Sequence, residues 1–138
     1  MKVRGLDDRE YSWSLSSRPR TNASKHHIRA RNLLKKIYPC DSISEELSLP
    51  GSRTKQNGTL FADFYLSSRK IMIEVQGEQH ESFSMHLHKG DKRNFFKGKA
   101  RDNTKRNWCL LNGITLIQLP YNESDDEWEA RILNLGEE

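Results

Sequence analysis

Apolar and polar positions alternate in this chain with two rhythms, and the switches between them mark out its elements. Ile28, Leu33, Leu34 and Ile37 form a helical stripe over residues 24–38, with Ser24 placed to cap it and Pro39 to end it. A short strand is predicted at 43–49, followed by Pro50-Gly51 and a polar loop to Gly58. Residues 60–66 and 70–76 read as two strands joined tightly enough to form a hairpin. On the second strand Ile71, Ile73 and Val75 face one way, and Met72, Glu74 and Gln76 the other. A helix over 99–112, with Ala100, Trp108 and Leu111 apolar, stops at Asn112-Gly113. A strand over 114–119 then runs into Pro120, and an acidic amphipathic helix over 124–135 presents Trp128, Ile132 and Leu135. The order α-β-β-β-α-β-α predicts an α/β domain with a mixed central β-sheet flanked by helices. Residues 1–22 are polar, with Tyr11 and Trp13 among serines and Arg18-Pro19-Arg20 near their end; they read as a basic arm ordered only on a partner. That leaves residues 23–138 as the folded domain.

Composition narrows the class. At 138 residues the chain makes one domain, and with 34% hydrophobic and 30% charged residues its core must be compact. Between Lys89 and Arg106 eight basic residues stand against two acids, more than the whole net charge of +4, so the remainder is slightly acidic. One basic face on such a body suits a polyanionic partner, although a solvated charged loop would have the same composition. Cys40 and Cys109 lack metal-site spacing and read as free thiols of a reducing compartment. With no apolar run long enough to cross a membrane and no secretory h-region, the expectation is cytosolic.

The chemistry concentrates in residues 60–80, where Asp63 and Glu74 interrupt two apolar strands. Acids rarely sit unpaired in a strand core, because a buried charge without a partner is expensive. Two on neighbouring strands suggest a cation between them, and a hard divalent metal is the simplest candidate. The Val75 carbonyl is placed to complete such a shell, while Gln76 can orient a water but cannot act as a base. Solvated acids on a surface strand are the plainer alternative.

These residues resemble a nuclease family. Asp63 followed by Glu74-x-Gln76 is similar to the PD-(D/E)xK core, and the run from Ile73 to His80 resembles the EDxHD branch containing the very-short-patch-repair endonucleases. The later Asp102, Trp108, Gly113 and the strand from Ile114 to Leu119 fall in register with that branch, so the resemblance covers about residues 24–119. It implies a restriction-endonuclease-like core and Mg²⁺ (or Mn²⁺) held by Asp63 and Glu74. It also implies that His80 and Asp102 orient or deprotonate the attacking water. There are two departures. His27 stands where the family's first helix carries a Glu, and Gln76 where the nearest group shows Asp.

Lys92, Arg93, Lys97, Lys99, Arg101, Lys105 and Arg106 are the expected phosphate contacts on double-stranded or branched DNA. Phe95-Phe96 is either core packing or a wedge between bases. A zinc site from His80, His86 and His88 is a remoter alternative. The reading that follows is a metal-dependent DNA endonuclease of phage or mobile-element type, acting in a bacterial or infected-host cytosol. One active site on a small domain nicks one strand; paired cuts require a homodimer, a second visit or a larger nuclease assembly. The rival of another class is a non-catalytic nucleic-acid-binding module on a nuclease fold, and an RNase is a weaker one.

Overall fold

The computed structural model describes residues 1–16, 21–54, 58–76 and 103–136. Its centre is a four-stranded sheet ordered β3 (Ile43–Ser48), β4 (Phe61–Leu66), β5 (Ile71–Gln76) and β6 (Thr115–Pro120). The first three strands form an antiparallel meander, and β6 runs parallel to β5. A parallel neighbour requires a crossover. The helix α2, residues 103–111, lies within that connection. The α/β class and the mixed sheet are therefore as the sequence pattern predicts.

Helices α1 (Lys25–Ile37) and α3 (Asp125–Gly136) cover one face of the sheet. Ala30, Leu33 and Leu34 of α1 and Trp128 and Ile132 of α3 pack with Phe64, Leu66, Ile71, Ile73, Ile117 and Leu119. Ser24 caps α1 by accepting from the His27 N–H, and the helix ends at Tyr38, before Pro39. Ser124 and Glu127 cap α3 reciprocally: each side chain accepts from the other's backbone N–H. The predicted stripe of α1 needs correction, because Ile28 is exposed and His27 is buried in its place. Residues 27, 30 and 34 share one helical face, and 28 lies a step around it. Leu111 and Leu135, expected to be core, are also exposed, and Pro120 is the last residue of β6 rather than the one after it.

The opposite face carries the larger departure. Residues expected to be a loose arm form a hairpin, β1 (Lys2–Arg4) against β2 (Glu10–Ser12), packed into the body. Val3 and Trp13 are buried with Leu47, Leu49, Tyr65, Met72, Trp108 and Cys109. The Trp13 ring stands edge-on to Trp108 at 5.1 Å, and its indole N–H donates to the Ser48 carbonyl at 2.8 Å. Asn112 completes the attachment. Its amide accepts from the Arg4 N–H at 2.7 Å and donates to the Arg4 carbonyl at 2.9 Å, as a neighbouring strand would. Close packing is required where the hairpin turn meets the 50–52 loop: a Cβ on Gly5 would lie 2.7 Å from the Gly51 Cα.

Candidate active site

The sheet opens at one end. The β4–β5 ladder pairs Leu66 with Ile71, Tyr65 with Met72 and Phe64 with Ile73, and goes no further. Beyond it the Val75 N–H donates to Asp63 Oδ2 at 2.8 Å, so a side chain takes over the backbone's role. On its other side β5 stays paired with β6, Glu74 opposite Gln118 and Gln76 opposite Pro120. Asp63 and Glu74 thus meet where two strands part.

Strands β3 and β4 change face at the same level. In β4, Ala62 belongs to the Trp13–Trp108 side and Phe64 to the α1–α3 side, although strict alternation would put them together. In β3, Ile43 packs on the α1–α3 side and Leu47 on the other. The residue between is Glu46, with φ of 53°. Its position in the register lies across from Asp63, between the pairs Glu45–Phe64 and Leu47–Ala62. Non-glycine residues seldom adopt this left-handed conformation, and it turns Glu46 toward Asp63.

Glu74 is buried on the face it shares with Met72. Burial holds its carboxyl well above the usual carboxylate range, and the neighbouring Asp63 carboxylate raises it further. Lys105 of α2 pulls the other way; its ammonium lies against Glu74 Oε1 as an ion pair. That oxygen is shut from solvent, with the ammonium as its partner. Cys109, one turn further along α2, has its thiol pushed up to about 12 by burial, and Sγ lies 3.5 Å from the Met72 sulfur. Both cysteines are free, Cys40 on the surface and Cys109 inside.

His27 reaches the same region from α1. Its ring stacks on Phe64 with centroids 4.4 Å apart, and Nε2 pairs with Glu45 Oε1 at 2.8 Å. Arg31 holds that carboxylate with both arms, Nε to Oε2 and Nη2 to Oε1, each at 2.9 Å. A ring nitrogen of His27 and a carboxylate oxygen from each of Glu46 and Asp63 lie within 4.8 Å of one another.

The structure therefore brings together Asp63, Glu74, Val75 and His27 of the predicted residues, with Gln76 half-buried on the Glu74 side of β5. Lys105 faces Glu74 rather than solvent, and Arg106 is exposed, 3.5 Å from Gln118 Oε1. His80, Asp102, Lys92, Arg93, Lys97, Lys99 and Arg101 lie outside the described residues, as do His86, His88, Phe95 and Phe96. Sequence reasoning missed Glu45, Glu46 and Arg31. The available signals were two adjacent acids inside an apolar strand and the i, i+4 spacing of His27 and Arg31.

Among the described residues no helix is long and apolar enough to cross a membrane. Over 69 residues, half of this chain, it is 42% identical to the uncharacterized protein 094L of Frog virus 3 (isolate Goorha), covering 44% of that protein. Over 69 residues it is 39% identical to the uncharacterized protein 307L of Invertebrate iridescent virus 6, covering 34% of it. The chain spans less than half the length of these curated relatives. No family model matches it, and no solved structure does.

Proposed function

We propose that the chain is a metal-dependent endonuclease that hydrolyses phosphodiester bonds in DNA, with Asp63 and Glu74 at the centre of its site. The observation that carries this reading is the meeting of the two carboxyls where β4 and β5 part, one of them buried and held well above the usual carboxylate range. Two carboxyls crowded together in low dielectric favour a divalent cation between them. The donor set thus fits Mg²⁺ or Mn²⁺. The order α1-β3-β4-β5-α2-β6, with its meander and parallel last strand, supports the restriction-endonuclease-like core that the resemblance implies.

The chemistry that such an ion supplies is Lewis acidity toward a phosphate and a water. Asp63 and Glu74 would hold it. The Val75 N–H fixes the Asp63 carboxylate, so its direction is set before any ligand arrives. Gln76 can orient a water through its amide but takes no proton; that task falls to His80 and Asp102 by resemblance. Lys105 brings a positive charge to the site from α2, which suits the charge developing on a phosphate.

One observation favours the second reading, a nucleic-acid-binding module without catalysis: the Lys105 ammonium already offsets Glu74, as a structural cation would. Supercoiled plasmid and a branched duplex, each with Mg²⁺ or Mn²⁺, separate the two. The expected result is open-circle product, falling at least ~100-fold in Asp63→Asn and Glu74→Gln and vanishing with EDTA. Intact DNA under both metals, with salt-sensitive binding retained, would sink the nuclease reading in favour of the module.

A further inference from the structure

We infer that His27, Glu46 and Asp63 form a metal centre that takes a first-row transition ion through an imidazole nitrogen, in preference to Mg²⁺. The inference rests on Asp63 being the site's central acid, and it names the metal class. Ligand atoms bonded to one such ion at about 2.0–2.2 Å stand about 3–4 Å apart. A nitrogen and two oxygens already lie within 4.8 Å of one another, and the Glu46 side chain can turn to close the remaining gap. Imidazole with two carboxylates suits Mn²⁺, Fe²⁺ or Zn²⁺, whereas Mg²⁺ prefers oxygen donors and keeps much of its water.

Three features around the cluster make it a built site. Glu45 accepts from Nε2 of His27, which directs the ring's lone pair to Nδ1. Arg31 clamps Glu45 bidentately, and the Phe64 ring stacks on the imidazole, so the ring can neither flip nor swing without breaking buried contacts. His27 and Glu45 are 2% and 6% exposed, and polar groups buried this deeply in an apolar layer stabilise a fold poorly compared with aliphatic packing. A carboxylate that holds a histidine's far nitrogen is the usual outer shell of a metal ligand. Glu46 keeps a left-handed backbone at the register position facing Asp63, and strain of that kind persists where the surroundings impose it.

The test is electron spin-echo spectroscopy of Mn²⁺ bound to the metal-stripped full chain, with affinity read from the loss of the free-Mn²⁺ signal. The wild type should show imidazole ¹⁴N modulation that His27→Gln removes. Because His27 lies in the core, Glu46→Gln on the half-buried strand serves as the second variant. It should weaken Mn²⁺ binding at least ~10-fold with the circular dichroism unchanged. Mn²⁺ bound without nitrogen modulation, or bound equally well by Glu46→Gln, would overturn the centre. If plasmid is still nicked with Mg²⁺ in that case, the nuclease reading survives alone. Nitrogen modulation with every DNA left intact would instead keep the centre and remove the nuclease.

Discussion

Glu46 shows how a single residue can be invisible to pattern reading and still shape a site. Residues 43–49 read as one strand because Ile43, Leu47 and Leu49 fit a period of two. In the fold the first belongs to one face and the other two to the opposite one, and the left-handed turn at Glu46 makes the exchange. Periodicity cannot report a phase that slips by one face and then resumes. Asp63 and Glu74 were legible, since an acid between apolar neighbours stands out on its own. The strain at 46 gives a check independent of any activity. Glu46→Val forces a β-branched residue into that conformation and should lower stability by about 1–2 kcal/mol. Glu46→Gly, relieved of the Cβ clash, should unfold in urea within about 1 kcal/mol of wild type while losing Mn²⁺ affinity. Equal stability of the two variants would mean that the strand does not depend on the left-handed turn.

At the scale of elements, the helices and strands from residue 24 onward were legible because their stop signals are chemical. Ser24, Pro39, Ser124 with Glu127, and Gly113 with φ of 67° each end or begin an element for a local reason. The amino-terminal hairpin was not legible. Its strands are three residues long, and what holds them is distant in sequence: Ser48, Tyr65, Trp108 and Asn112. The hairpin and α2 share one apolar cluster, so the hairpin supports the face from which Lys105 reaches Glu74. Trp13→Ala should therefore cost about 3–5 kcal/mol in urea unfolding, as for a large core aromatic. An arm ordered only on a partner would lose almost nothing, so a change below about 0.5 kcal/mol would refute the packing role.

For the whole molecule, charge and fold intersect at Lys105. By composition it belongs to the basic run that ends at Arg106, and reading along the chain assigns it to phosphate like its neighbours. The fold turns it inward instead, its side chain 17% exposed against Glu74. Sequence alone could not separate these, because the pairing joins residues thirty-one positions apart through the placement of α2. Arg106 remains available, since a 3.5 Å approach to Gln118 on the surface holds it weakly. If the other six expected cations each neutralise one phosphate, log Kobs for duplex binding should fall against log[salt] with a slope of about −5. Lys105→Gln then distinguishes the two placements. Were Lys105 bound to phosphate, the substitution would make the slope shallower by about 0.9 and weaken binding at low salt. With Lys105 turned inward against Glu74, the substitution leaves the slope unchanged and instead removes the cation that holds the Glu74 carboxyl down, so its own proton competes with the metal. Mn²⁺ affinity should then rise at alkaline pH, where the carboxyl is ionised and the ammonium no longer competes for it, and fall more steeply as pH drops. A shallower slope with unchanged metal affinity would place Lys105 on the DNA and remove it from the carboxylate pair.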